Sequence, residues 1–318
     1  MKKLTKMNFN YDLGGLSAYV DQLSSDIISE AVLSPVTMKY VNVIPGIKGT
    51  QNVNLLKETL SVQTGTTCGW NDAGDVTFEA VPLTVQALKV NQSLCLEELN
   101  TLWLGQYLNA GSYNEQAPFE QAIVDLQTKQ IKRYNEDLVW NASSGTSTFS
   151  GFIQLLNNTA GVVKLTGATA LCSVTGASVV DKANAVLTQV DNIIDALDRN
   201  IYDRDDIVIF MSQQQFKCYL VALRNVNNFH FTEPTLGQVY ETFHPQTKYK
   251  VVGVPGLNGS NLIAAAPMQY FMVGVDLMSD EDSFRSWWSQ DFQEVRIMSA
   301  WKLGAAIAFP EFFVTNGL

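Results

Sequence analysis

Charge is scarce in this sequence. Only 16% of its 318 residues are Asp, Glu, Lys or Arg, against roughly 25% in an average soluble protein. A chain this poor in charge has less surface suited to permanent contact with water, which favours extensive subunit contacts or a large core. Histidine is scarcer still, since His230 and His244 are the whole supply. Neither has a partner three or four residues away, which excludes a helical metal pair. Cys68, Cys95, Cys172 and Cys218 are too few and too widely spaced for a disulfide framework or a CxxC metal site. They read as reduced thiols in a cytoplasmic product. Basic residues number 21 against 31 acidic ones, for a net charge of −10, and only Lys2, Lys3 and Lys6 cluster. A protein that grips DNA through its phosphates shows the opposite balance. No apolar run approaches the roughly 18 residues of a membrane span. The longest candidates, Leu262–Val275 and Leu303–Val314, are broken by Pro267, Gln269, Pro310 and Glu311. The start, MKKLTKMNFNYDL, has basic residues with no apolar stretch behind them, so no signal peptide is expected.

What is present is a long helix. Pro118 suits a first helical position. Phe119, Ile123, Leu126, Tyr134 and Leu138 then recur at helical spacing as far as Trp140, predicting a buried stripe with Gln130 as its polar gap. Asp125/Lys129, Lys132/Glu136 and Arg133/Asp137 fall at i,i+4 on the remaining faces. The helix spans roughly 34 Å and ends in the polar loop NASSGTST. Ahead of it, residues 1–48 hold a weak amphipathic patch, Leu16–Leu33, in otherwise irregular sequence. From Gly49 to Leu94 the pattern turns to strands, with Val76, Phe78 and Ala80 alternating. GTTCGWNDAGD has the turn residues of a hairpin tip. A long two-stranded ribbon is marginal alone in water, so it is expected to lie on a partner. Leu94–Leu108 reads as a short helix.

From Ser178 a compact unit begins. Ala183, Val186, Leu187, Val190, Ile193, Ile194, Leu197 and Ile201 form a helical stripe, DIVIFM (Asp206–Met211) a buried strand, and Ser212 with Gln215 a capping box for the next helix. Strands follow at Tyr249–Val254, Leu262–Ala266, Tyr270–Val275, Glu294–Trp301 and Ala305–Val314. The class is α+β.

Catalytic patterns are missing: no GxSxG, P-loop, HExxH or Rossmann fingerprint occurs. GVPGLNGS (Gly253–Ser260) reads as a turn between strands. His230 reads as packed or at a surface edge, and Cys68 as a small residue of the hairpin tip, since no base is in sight to lower its pKa. Asp203, Asp205 and Asp206 read as a polar turn. Asp276, Asp280, Glu281 and Asp282 lack the full 12-residue calcium pattern and read as a solvated loop. Trp287 and Trp288, adjacent on a strand, face opposite sides, so one is expected on the core and the other on a neighbour. No catalytic, cofactor-binding or metal residue is assigned; the chain reads as a structural protein and not an enzyme.

Taken in order, these features resemble the major capsid proteins of tailed double-stranded DNA bacteriophages, the Hong Kong 97 capsid fold. The stretches carrying the resemblance are PFEQAIVDLQTKQIKRYNEDLVWNASSGTSTFSGFIQLL, DRDDIVIFMSQQQFKCYLVAL and KYKVVGVPGLNGSNLIAAAPMQYFMVGVDLMSDEDSFRSWW. It implies an N-arm over 1–48 and an extended loop over 49–92. It also implies a peripheral domain over 93–160 and 271–303, with a spine helix over 118–141, and an axial domain over 161–270 and 304–318. It implies hexamers and pentamers closing into an icosahedral shell around DNA held without sequence-specific binding. No membrane and no cofactor are involved. Portal and decoration proteins are possible partners, and a separate scaffold protein is expected because the arm starts near Met1. The location implied is the virion, assembled in the host bacterial cytoplasm. Some relatives join a lysine to an asparagine covalently; Lys57 is the only lysine between Thr50 and Leu88, and no crosslink is predicted. The same fold also serves encapsulins, bacterial shells around cargo enzymes. The reading from another class is a soluble enzyme or ligand-binding protein using the Asp276–Asp282 loop.

Overall fold

The computed structural model describes residues 32, 35–65, 73–95, 119–143, 149–166, 172, 178–226, 240–276, 284–292 and 294–317. In chain order the strands are β1 (Asn42–Pro45), β2 (Thr50–Leu60), β3 (Gly74–Thr84), β4 (Gln86–Cys95), β5 (Val163–Lys164), β6 (Ile207–Ser212), β7 (Glu241–Phe243), β8 (Lys250–Val254), β9 (Ala264–Pro267), β10 (Phe271–Asp276), β11 (Phe284–Ser289), β12 (Glu294–Ile307) and β13 (Val314–Thr315). The helices are α1 (Phe119–Asn141), α2 (Phe152–Asn158), α3 (Val179–Asp195) and α4 (Gln213–Val226). The residues divide into two compact units. The larger holds 35–86, 133–276 and 303 onwards; the smaller takes its described residues mainly from 87–132 and 277–302.

The larger unit is built on a six-stranded sheet in the order β5-β13-β9-β6-β8-β7. β6 is its centre, parallel to β8 and antiparallel to β9, and every residue of it is buried. That is what a β-branched run with no polar alternation dictates. Ile207, Ile209 and Met211 face Val186, Val190 and Ile193 of α3 and Phe216 and Tyr219 of α4. On the alternate side Phe210 meets Trp140 and Phe271 edge-on, at 5.2 and 5.1 Å between ring centroids, and Phe271 meets Phe152 and Phe313. α3 starts at Ser178, whose hydroxyl accepts from the Asp181 N–H. α4 starts in the expected capping box: the Gln215 N–H donates to the Ser212 hydroxyl at 3.2 Å and the Ser212 N–H to Gln215 Oε1 at 3.4 Å.

Still in the larger unit, β1 runs parallel to β10. Ile47, Leu55, Leu83, Val85, Met272, Ala306 and Ala308 form a second core at the base of the β2–β3 hairpin. Gly304 is required there, because a Cβ on it would lie 2.1 Å from the Thr84 carbonyl oxygen. β12 runs unbroken from Glu294 to Ile307, where the sequence suggested two strands. In the smaller unit β11 pairs antiparallel with β12 in the register Trp287↔Arg296, and β4 also pairs β12.

α1 has the expected span but only part of the expected face: Leu138 is buried as the stripe requires, and the side chains of Phe119 and Ile123 lie outside the described residues. Leu126 and Tyr134 are 59% and 53% exposed, while Val124, Gln127, Thr128, Ile131, Asn135, Glu136, Leu138, Val139 and Trp140 are buried. Polarity misleads here because Thr128, Gln127 and Glu136 find hydrogen-bond partners inside the protein. The Thr128 hydroxyl donates to the Val124 carbonyl at 2.8 Å and Gln127 Nε2 to Gln92 Oε1 at 2.7 Å. Glu136, placed by spacing opposite Lys132, turns inward instead.

The thiols need a second correction. Cys172 and Cys218, expected as reduced, are joined in a disulfide across 46 residues of chain, with Cα atoms 6.4 Å apart. Separation along the chain carries no information about this approach, which arises because Cys172 folds into the core beside α4.

Candidate functional site

The β2–β3 hairpin pairs in unbroken antiparallel register from Thr50↔Thr84 to Leu60↔Gly74. Thr50 and Thr84 hydroxyls meet at 3.0 Å at its base, and the Val85 N–H donates to the Gly49 carbonyl at 3.0 Å. Side chains alternate between its faces. One face carries Val53, Leu55 and Lys57 opposite Val81, Glu79 and Thr77, and Leu55 on it is buried in the second core. Lys57 ties this face down: its Nζ lies 2.8 Å from Glu79 and 3.1 Å from Glu311, over the Phe309 ring. Hydrogen bonds to Glu79 and then Glu311 hold its pKa above the usual lysine range. The other face is a stripe that no described residue covers. Leu56 pairs with Phe78, and Glu58 with Val76; Phe78 is 80% exposed, Leu56 56% and Val76 52%. Single exposed apolar residues are ordinary, but a paired row on a marginal ribbon is not.

Within the larger unit, Glu136 fixes the segment that leads into β1. It accepts from the Thr37 N–H at 3.0 Å and from the Thr37 hydroxyl, and the Gly256 and Val36 N–H groups also face it. The Trp140 indole N–H donates to the same hydroxyl at 2.7 Å. Burial pushes the Glu136 carboxyl up, and these donors pull it back down. Gly256, in the turn after β8, must be glycine: a Cβ would sit 2.4 Å from the Glu136 carbonyl oxygen and 2.5 Å from the Trp140 ring. Asn141 Nδ2 donates to the Gly256 carbonyl at 2.7 Å.

No protein-family model matches the chain, and no curated sequence matches it. Solved structures do, over nearly their whole length. The virus-like particle from Pyrococcus furiosus matches at 13% identity and a TM-score of 0.52, covering 93% of this chain and 98% of that one. The capsid of the empty GTA particle matches at 10% and 0.55, covering 100% and 96%. The satellite phage P4 procapsid including size determination protein matches at 11% and 0.51, covering 92% and 99%. The fold is the Hong Kong 97-type capsid fold.

Placed on this Hong Kong 97-type fold, the residues singled out by sequence do not converge. Among the described residues no group of three His, Cys, Asp or Glu could hold a metal ion, and no helix is long and apolar enough to cross a membrane. Cys68, His230, Asp280, Glu281 and Asp282 lie outside the described residues; Asp276 is buried at the end of β10. Asp206 accepts from Arg204 Nε and Nη2, at 2.8 and 2.7 Å, and Asp205 pairs with Lys248 at 2.7 Å, as a polar turn should. Trp287 is 42% exposed.

His244 had no partner by spacing yet finds two in space. The Tyr219 hydroxyl is 2.9 Å from its Nδ1 and Asp191 Oδ1 is 3.5 Å from its Nε2. Burial lowers the His244 pKa against the pull of Asp191, and burial raises that of Asp191. The three come from α3, α4 and the turn before β8, so only the tertiary fold brings them together.

Proposed function

We propose that this chain is a major capsid protein that self-assembles as hexamers and pentamers into an icosahedral shell around a phage double-stranded DNA genome. The observation that carries this reading is the correspondence in fold, over 92–100% of this chain, with structures described as a virus-like particle, a capsid and a procapsid. The exposed Leu56/Phe78/Val76 stripe supports it: a ribbon marginal in water gains a face to bury on a neighbouring copy. The charge of −10 suits a shell that confines DNA without gripping its phosphates.

In this reading residues 1–48 are the N-arm, and 49–92 hold the extended loop, whose two-stranded part is β2–β3. Residues 93–160 and 271–303 are the peripheral domain, with α1 as spine helix, and 161–270 and 304–318 the axial domain. Partners are further copies of the chain, a separate scaffold protein, a portal and decoration proteins, with assembly in the host bacterial cytoplasm. One of the similar structures is a procapsid that includes a size determination protein. A second reading, a shell around cargo enzymes, draws on the similarity to a virus-like particle.

Negative-stain microscopy with sedimentation velocity tests the proposal, on the protein alone and co-expressed with candidate scaffold. Closed shells or rings of five or six subunits are expected. A monomer or dimer under every condition refutes it, and the contents of purified shells, DNA or protein, separate the two readings.

A further inference from the structure

The smaller unit holds an open cleft of about 340 Å³ between β4, β11 and β12. That volume is at the low end for small-molecule sites, roughly 300–1,000 Å³. Trp287 forms one wall, its indole 42% exposed on a strand whose neighbour β12 buries Val295, Ile297 and Trp301 on its other face. Gln92 lines the opposite side and is held in place: Gln127, nine-tenths buried on α1, donates to Gln92 Oε1 at 2.7 Å. That bond occupies the Gln92 carbonyl and leaves its NH₂ group as a fixed donor. Glu294 and Arg296 line the cleft as an internal pair, 2.9 Å apart, so their charges cancel. The Arg296 guanidinium is also held over the Phe292 ring, 4.6 Å from its centroid.

From these groups we infer that the cleft binds a neutral carbohydrate, a hexose unit stacked on Trp287 with its hydroxyls on Gln92, Glu294 and Arg296. Each part of the ligand follows from a part of the site. An exposed indole offers a flat apolar plate, which fits the C–H face of a pyranose ring. Planar amide, carboxylate and guanidinium groups together supply both donors and acceptors, as ring hydroxyls require. Cancelled charge disfavours phosphate or carboxylate ligands, which need an unpaired cation. The Gln127–Gln92 bond spends a buried side chain on orienting a cleft residue, the pre-organisation a binding site needs. This inference does not rest on the shell reading, and a failed sugar assay leaves that reading standing.

The test is saturation-transfer NMR of the purified protein, dispersed and assembled, with maltose, lactose and chitobiose as probes. At least one disaccharide is expected to receive saturation through its C–H face. Trp287→Ala is expected to weaken binding about tenfold or more, with a thermal melt confirming that the variant is folded. Gln92→Ala should weaken it as well, without changing the melting temperature by more than a few degrees. No transfer to any of the three, or binding indifferent to both substitutions, overturns the proposal. Binding by the dispersed protein that vanishes in the shell also overturns it as a site on the particle and shows that a polypeptide covers the cleft.

Discussion

Replacing Leu56 and Phe78 together by serine separates folding of the subunit from its assembly. The two side chains face each other across the ribbon and are 56% and 80% exposed. At roughly 2 kcal/mol per fully buried side chain, covering them on another copy stabilises each contact by about 3 kcal/mol. Losing that weakens each association by about a hundredfold. The subunit itself should barely notice, because a cross-strand pair contributes only about 0.2–1 kcal/mol. Leu55→Ser supplies the contrast. Leu55 sits on the opposite face, 8% exposed against Leu83 and Met272, so its loss should cost the dispersed subunit about 2–4 kcal/mol. The assay is the critical concentration for shell formation by sedimentation velocity, with thermal melts of the dispersed protein alongside. A Leu56→Ser/Phe78→Ser variant that assembles at the wild-type concentration refutes the stripe as an interface. So does a large drop in melting temperature without any assembly defect.

Three further outcomes follow from the larger unit and from α1. Leu126→Asp, which the sequence pattern alone would make severe, should change dispersed-subunit stability by no more than about 0.5 kcal/mol, because Leu126 is exposed; a melt settles it. Cys218→Ser should lower stability by about 4 kcal/mol for a 46-residue separation closed by the disulfide. Wild-type protein should run faster than the variant on a non-reducing gel, and identical mobility would show the thiols are free. The lowered pKa of His244 means the unfolded chain takes up the proton first. Its contribution is therefore full above about pH 6.5 and is lost as pH falls toward the folded value. Glu136 and Asp191, pushed up by burial, carry the opposite sign, so the informative quantity is the difference between wild type and His244→Gln. That difference should shrink on acidification in urea melts; a pH-independent gap rules the argument out.

Legibility from sequence followed how locally each feature is determined. The Ser212/Gln215 box, the β6 run and the α3 stripe depend on neighbours a few residues away, and each stands where the pattern put it. The face of α1 did so only in part, because its buried row is set by partners far along the chain. Gln127 reaches Gln92, and Glu136 reaches Thr37, 99 residues away. A polar residue satisfied by a distant donor is invisible to a pattern that equates polarity with solvent. Gly256 reads as part of a turn, yet it and Gly304 both mark places where another segment's backbone leaves no room for a Cβ. Asp191, Tyr219 and His244 share no spacing at all.

The same exchange explains why the overall composition was informative where the local pattern was not. Glu136 and Gln127 take polarity inside, and Leu56, Phe78, Val76, Leu126 and Tyr134 leave apolar surface outside. For a monomer this trade is unfavourable at both ends: buried polar groups must all find partners, and exposed apolar rows invite association. In a subunit that closes a shell, the inner polar groups can fix the direction in which the chain leaves α1 and β1, while the outer row supplies association energy. Low charge and a buried carboxylate then have one physical origin. In the proposed shell, directional hydrogen bonds inside each subunit would set the angle at which its apolar row meets another copy, because hydrophobic contact has no direction of its own.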